Sequence, residues 1–405
     1  TAATGKGYFV NTTSGTITVN LPAGVAGSIV AVADYTRTFA TYNCTVAPNG
    51  SEKIGGVDNF ARLNVDGQSA TFVYVDGTEG WINVQETQTS QIGVSPFVIA
   101  TGGTPCTGAI CGDFKTHVFT GPGTLCVSNA GLAPGSNTVD YLVVAGGGGG
   151  GSRAHSAGGG AGGFRNSNAA GCIPAPSTTP LANPTNIPVS VQGYPITVGG
   201  GGAGGAAGGS NNIGTKGDDS IFATITSTGG GYAATYCTAG GPGGSGGGAG
   251  GSPTPETVGA GNDPATPISQ GYPGGATSTA PPCGQGGGGG GAGAAGCAAG
   301  TATPSGKGGV GSYIADAVVG PTAPTYGTPG PVGSTRYFAG GGPGSNTPCQ
   351  HHPAPPGGGG GTTTFGSRDG TVNTGGGGAA GPCSPAPSIG GTGGSGIVII
   401  RYKFQ

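Results

Sequence analysis

The sequence predicts an all-β protein, most of it an irregular glycine-rich region, with almost no α-helix. Three observations lead there. Glycine supplies 99 of 405 residues and proline 33, against average usage of about 7% and 5%. The glycines fall in discrete tracts bracketed by β-branched segments. Outside the tracts, short runs alternate with the period of two that belongs to strands.

The first segment, residues 1–88, reads as a small β-sandwich or barrel. Gly15–Leu21, Ser28–Ala33, Asn43–Ala47, Ala70–Val75 and Gly80–Val84 are strand-like, and Asn49-Gly50, Asp66-Gly67 and Asp76-Gly77 mark turns between them. Trp81 is the expected core anchor. Residues 89–95 read as a linker. Residues 96–145 supply the entry strands of a β base, among them Phe97–Ile99, Phe114–Phe119, Leu125–Val127 and Val139–Val144. Residues 397–405 carry the strand that returns to close this base.

Residues 146–396 hold the tracts: Gly146–Gly151, Gly158–Gly163, Gly199–Gly209, Gly240–Gly251, Gly286–Gly296, Gly306–Gly311, Gly340–Gly344, Gly357–Gly361, Gly375–Gly381 and Gly390–Gly396. Glycine loses more conformational freedom on ordering than any other residue, and fixing a residue costs about 1–2 kcal/mol. Side-chain burial cannot offset that where there are no side chains. Backbone hydrogen bonds can. A polyproline II-type helix has three residues per turn and no internal hydrogen bonds, so its N–H and C=O groups need lateral partners. Only glycine lets such helices approach on every side. The expectation is a polyglycine II bundle standing on the β base, with loops at its far end. Simple disorder is disfavoured by the low charge, 7% of residues, and by the strands that bracket the tracts. Collagen is excluded, because no Gly-X-Y period runs through the chain.

Composition narrows function. Thirteen basic against 15 acidic residues give a net charge of −2, too little basic surface for nucleic-acid binding. No apolar run approaches the ~20 residues of a spanning helix, so membrane insertion is not expected. Four histidines offer little for acid–base catalysis, and no enzyme or cofactor is expected. The GxGxxG strings arise from composition, without the strand–loop–helix context of a dinucleotide site. Gly300–Lys307 departs from a P-loop in spacing, and Gly308 stands where Ser or Thr would hold magnesium. Cys349, His351 and His352 form the one histidine cluster; with too few further ligands, no metal is expected. Asn11, Asn43 and Asn49 begin sequons of the kind that arise freely in Thr/Ser-rich segments.

Ten cysteines include no CxxC pair, which disfavours zinc-ribbon and thioredoxin sites. In a chain of this type they read as disulfides of an oxidising compartment, with Cys111–Cys126 and Cys283–Cys297 as local candidates. The chain contains no methionine, so a processed chain or a piece of a longer protein is expected.

Several runs resemble glycine-rich tail-fibre proteins of tailed bacteriophages, marine cyanophages in particular: Val139–Gly151, Tyr194–Gly200, Gly286–Gly296, Asn373–Gly378 and Gly393–Tyr402. Phe114–Cys126 resembles the entry segment of that family. Asp34–Ala47 and Phe72–Trp81 resemble a small β-domain common in phage tail and fibre proteins. The resemblance implies an extracellular virion appendage, an adhesin whose tip loops contact a glycan or outer-membrane protein of the host. It further implies other tail or baseplate proteins as partners, and a homotrimer. A virion spacer or decoration protein, and a bacterial surface filament subunit, are the alternatives. Recognition is expected in the Tyr- and Pro-rich loops, with Tyr313, Tyr326, Arg336, Tyr337, Phe338, His351 and His352 as receptor-binding residues. Their aromatic faces, single cation and titratable donors are scarce elsewhere in the chain.

Overall fold

The computed structural model describes all residues except 88–94, 133–134, 154, 168–178, 209–211, 253, 255, 278–284, 301–305, 322–324, 346–351, 362–366 and 382–388. The chain divides into two compact units, Thr1–Val94 and Ser95–Gln405. Apart from Ser95, the linker expected over 89–95 lies outside the described residues.

The first unit contains β1 (Lys6–Val10), β2 (Ile17–Asn20), β3 (Ile29–Asp34), β4 (Cys44–Ala47), β5 (Ala61–Leu63), β6 (Ser69–Asp76) and β7 (Gly80–Thr87). They form two sheets, ordered β1-β3-β6-β7 and β2-β4-β5, with no closed barrel. Alternate residues point inward: Val30 and Val32 from β3 and Ala70 and Phe72 from β6 meet Val46 and Leu63 of the other sheet. Trp81 is completely buried in this core. Its Nε1–H donates to Glu52 at 3.1 Å, and its ring meets the edge of Tyr74. Burying the indole with its one donor paired makes it the anchor the sequence suggested.

The second unit contains β8 (Val98–Thr101), β9 (Thr104–Cys111), β10 (Phe114–Phe119), β11 (Gly123–Ala130), β12 (Thr138–Val144), β13 (Phe164–Ser167), β14 (Ala182–Asn183), β15 (Ile187–Pro188), β16 (Gln192–Thr197), β17 (Ser220–Phe222), β18 (Ile225–Ser227), β19 (Ser312–Ala315), α1 (Asp316–Val319), β20 (Thr335–Phe338) and β21 (Ile397–Lys403). Four residues of α1 are the only α-helix among the described residues.

One sheet runs β14-β13-β12-β21-β10-β9, and a second runs β18-β17-β16-β11-β8. The C-terminal strand β21 lies in the middle of the first sheet, antiparallel to both β12 and β10. Tyr141, Val143, Val398 and Ile400 on one face pack on Leu125, Ile196 and Phe222 of the second sheet. Leu142, Val144, Ile397 and Ile399 on the other face pack on Ile314, Val318 and Phe338. Both faces are covered, which explains why β12 and β21 read as continuous apolar runs rather than alternating ones.

The bundle grows directly from this sheet. β12 runs into Gly146–Gly151, and Gly390–Gly396 runs into β21. Gly146, Gly149 and Ser152 donate to Asp218, Thr215 and Asn212; Gly147 and Gly150 donate to Gly394 and Gly391; Gly148 and Gly151 donate to Gly160 and Ala157. Every third residue therefore points at the same neighbour, the signature of a helix with three residues per turn. The carbonyls follow the same rule. Those of Gly146 and Gly149 accept from Gly230 and Ala233, those of Gly147 and Gly150 from Gly202 and Gly205, and those of Gly148 and Gly151 from Gly378 and Gly381. The tract thus has six neighbours. Its N–H groups go to antiparallel tracts and its carbonyls to parallel ones. None of Gly146–Gly151 has a positive φ, as a left-handed extended helix requires.

Glycine is required there by contact. A Cβ on Gly146 would overlap the Gly200 carbonyl, and one on Gly149 the Ala203 carbonyl. Alanine enters at a few places, such as Ala157, Ala233 and Ala234, whose methyl groups pack together without exposure.

Candidate recognition surface

The aromatic segment singled out from sequence forms a hairpin. In it β19 pairs antiparallel with β20, setting Tyr313 opposite Tyr337 and Ser312 opposite Phe338. Its position differs from the expected tip. Ile314, Ala315, Val318, Val319 and Phe338 join the core against β10, β12 and β21, so the hairpin covers the base sheet. Thr116 in β10 donates its hydroxyl to the Val318 carbonyl at 3.4 Å, tying the hairpin to the sheet.

Two of the expected receptor contacts lie inside the protein in this placement. Phe338 is fully buried and Tyr337 is 4% exposed, so both are packing residues. The physical reason is the second apolar face of the base sheet, which needs a cover and finds it in this hairpin. Tyr313 and Tyr326 are half-buried, and the Tyr313 and Tyr337 rings lie 5.2 Å apart. Arg336 is half-buried and spans a loop: Nε donates to the Tyr326 carbonyl at 2.8 Å and Nη2 to that of Gly327 at 2.6 Å. Gly327 has φ +66°, and a Cβ there would press on the Phe338 ring. These five residues therefore come together, as a structural knot at the base. His352 is half-buried; His351 lies outside the described residues.

The far end of the bundle is built by turns between tracts. Gly151 donates to Ala157, and Gly251 donates to the His155 carbonyl at 2.7 Å, so the turn after Gly146–Gly151 sits beside the end of Gly240–Gly251. Ser345 closes the same end: its N–H donates to Ser156 at 2.9 Å, and the two hydroxyls are 3.3 Å apart. Above this layer, the His155 ring lies 5.9 Å from that of Tyr236. Arg153 and Cys237 are exposed, and Tyr236 is 42% exposed. Arg153, His155 and Cys237 all have positive φ, which non-glycine residues adopt at a cost and which clusters where position matters. His155 Nδ1 and Thr235 Oγ1 are buried without a hydrogen-bond partner.

Tyr236 falls in one of the Tyr-containing inter-tract loops where recognition is expected, residues 232–239, but it is not among the named receptor-binding residues, and neither Arg153 nor His155 is. The available signal was the break Ser152-Arg153-Ala154-His155-Ser156 between two glycine tracts, where a charge and an imidazole interrupt an otherwise featureless run.

The cysteine pairing expected between Cys111 and Cys126 is absent. Cys111 ends β9 in the first base sheet, whereas Cys126 lies in β11 of the second, and both are free thiols. Cys44, Cys106, Cys237 and Cys297 are also free; Cys172, Cys283, Cys349 and Cys383 lie outside the described residues. Among the described residues no three His, Cys, Asp or Glu side chains gather as a metal site, and no helix is long and apolar enough to cross a membrane.

Residues 120–403 match the model of the glycine-rich domain family. No curated protein matches the chain. The matched span begins where β10 leaves the base sheet and ends with β21, taking in the whole lattice and the strand that closes it, and the chain belongs to the glycine-rich domain family.

Proposed function

We propose that this chain is an attachment protein of the tail-fibre type, whose glycine lattice is a rigid support for recognition residues at its far end. The observation that carries this reading is the contrast along the bundle. Within the tracts, backbone donors and acceptors are consumed laterally. At the far end, Arg153, Tyr236 and Cys237 present charge, aromatic surface and a thiol to solvent beside the His155 ring. Binding residues on loops held by a rigid scaffold are a common solution, because the scaffold limits the ordering cost on contact.

The partners in this reading are a host surface glycan or outer-membrane protein at the far end and other tail proteins elsewhere. Several copies per particle would multiply weak contacts through avidity. The lattice around Gly146–Gly151 is completed within one chain, so the bundle itself does not require the trimer implied by the fibre resemblance.

The test is localisation. Antibodies raised against the purified chain are applied to intact particles from the same source and viewed by electron microscopy. Labelling at distal fibre ends is expected. Labelling of the capsid alone, or of a cellular filament, would refute the attachment reading and favour the decoration or filament alternative.

A further inference from the structure

We propose a second binding site, for a neutral saccharide, in an open groove of about 560 Å³ at the edge of the base sandwich. Its size lies within the range of about 300–1,000 Å³ typical of small-molecule sites. The groove is lined by Tyr141, Asn183, Asn186, Ser190, Gln192 and Tyr194, together with Thr and aliphatic residues, and among the described residues no charged one lines it.

The lining is organised by its own hydrogen bonds. Asn183 Nδ2 donates to the Tyr141 hydroxyl at 3.3 Å, while its Oδ1 accepts from the Thr185 N–H and hydroxyl at 3.1 and 2.8 Å. Gln192 Nε2 donates to the Ser190 hydroxyl at 3.0 Å, and the Ser190 N–H donates to the Tyr194 hydroxyl at 2.8 Å. These bonds fix the amides and hydroxyls before any ligand arrives. One acceptor is left over: Asn186 Oδ1 is buried and has no partner. Tyr141 and Asn183 also line an adjoining cavity of about 120 Å³, where Asn166 is 6% exposed and its Oδ1 is again without a partner. Two unpartnered amide oxygens in one region are costly unless a donor is supplied.

The chemistry selects the ligand class. Among the described residues no cation or carboxylate lines the groove itself, and Arg165, which lines the adjoining cavity, donates Nη1 to the Thr226 carbonyl at 3.3 Å, so the groove wall has nothing to neutralise a phosphate or an ammonium group. A purely apolar ligand would strand the amides. A sugar offers several hydroxyls, each both donor and acceptor, to match Asn, Gln, Ser and Tyr groups that are themselves mixed donors and acceptors. A peptide strand is a poorer fit. β14 and β15 have two residues each and β15 ends in proline, so the local edge is too short for strand addition.

This site lies on the base sandwich, at the opposite end from the distal turns, and its occupancy does not depend on where the chain sits on a particle. The experiment uses the full chain and saturation-transfer NMR with glucose, galactose, mannose and N-acetylglucosamine, each titrated separately. Saturable binding of at least one is expected. Asn186→Leu and the exposed Gln192→Ala should each weaken it by about ten-fold or more, with the melting temperature of Gln192→Ala unchanged. If Asn186→Leu does not fold, Gln192→Ala decides alone. No binding by any of the four sugars, equal binding by Gln192→Ala, or binding only of a neutral proline-containing peptide used as counter-probe would overturn the assignment.

Discussion

Gly148 donates its N–H to the Gly160 carbonyl at 2.8 Å, and at both residues a Cβ would overlap a backbone carbonyl of a third tract, Gly231 for one and Ser245 for the other. The pair shows why the tracts are glycine rather than merely small. Each helix sits in a lattice whose spacing is set by hydrogen bonds in several directions at once, so a side chain has no direction in which to point.

A valine within the lattice should therefore be far more damaging than a change at an open glycine. Gly289 donates to Gly342 at 2.8 Å and accepts from Gly309 at 2.9 Å, and its Cβ would overlap the Gly159 carbonyl. Gly289→Val must push tracts apart and strand these groups at about 1–3 kcal/mol each. Gly121 has open space around it, so Gly121→Ala should leave stability within about 0.5 kcal/mol. Thermal melting of the two variants provides the comparison; equal melting temperatures would refute close packing at Gly289.

Phe338→Ala tests the placement of the hairpin. The ring is fully buried among residues of the base sheet and α1. Its removal leaves a cavity, a loss of about 3–5 kcal/mol. A receptor-contact residue at a mobile tip would instead melt like the parent while losing adsorption. Denaturant unfolding therefore separates the two roles.

The general architecture was legible in the sequence for a physical reason. Strand periodicity shows where side chains alternate, as in β3 and β6. The lack of side chains in the tracts shows that their backbone groups must be satisfied laterally. The run Ile397–Ile400 also marked its own destination, because a four-residue apolar segment needs cover on both faces. What could not be read was the far end. Tyr337 and Phe338 carry the same residue types as a binding loop, and only the unpaired face of the base sheet decides that they are core. Arg153 and His155 stand out in sequence only as a break between two glycine tracts, and their significance comes from the turn that places His155 beside Tyr236.

Acid should weaken the second unit through His117. This imidazole is fully buried in β10 and stacks on Tyr402 at 5.6 Å. Nδ1 lies 2.7 Å from the Gly102 carbonyl and must carry the proton; Nε2 then accepts from the Tyr402 hydroxyl at 3.0 Å. Burial depresses the His117 pKa, Lys115 adds to the effect, and the bond to Gly102 opposes it. The unfolded chain, near the ordinary value of about 6.5, therefore takes up a proton before the folded chain does. Stability is fully present above that value and is lost as pH falls towards the lower folded value. Melting temperature should drop between pH 7 and 5, and His117→Gln should show a shallower slope. The same slope in both proteins would refute the role of His117.

Thiol labelling should follow the placement of the cysteines. Cys44 is completely buried, and burial aided by Asp34 pushes its thiol up to about 11. It should remain unmodified by iodoacetamide until the first unit unfolds, because the thiolate is the nucleophile. Cys126 and Cys237 are exposed and should be labelled in the native protein. Peptide mapping by mass spectrometry reads both results. Native protection of Cys126 through a disulfide to Cys111 would contradict the separation of β9 and β11 in different sheets.

Tyr236→Ser addresses the attachment reading at a single side chain. The ring is 42% exposed and lies 5.9 Å from His155 at the far end of the lattice, while the backbone of its turn is held from both sides: Cys237 donates to Gly251 at 3.0 Å and Thr238 to Thr235 at 3.1 Å. Neither bond uses the tyrosine side chain, so the turn should persist and melting should change by less than about 1 kcal/mol. Recognition should not persist. An aromatic face with a hydroxyl at its edge combines apolar contact with a directed hydrogen bond, and truncating such an anchor commonly costs about 2 kcal/mol or more. Repeated over several copies, a loss of that size is amplified, because avidity multiplies single-site affinity. Particles carrying Tyr236→Ser should therefore adsorb to host cells at least about ten-fold more slowly than the parent, while particles carrying Tyr313→Ser in the base hairpin adsorb normally. Adsorption that fails with Tyr313→Ser and survives Tyr236→Ser would move recognition from the distal turns to the base.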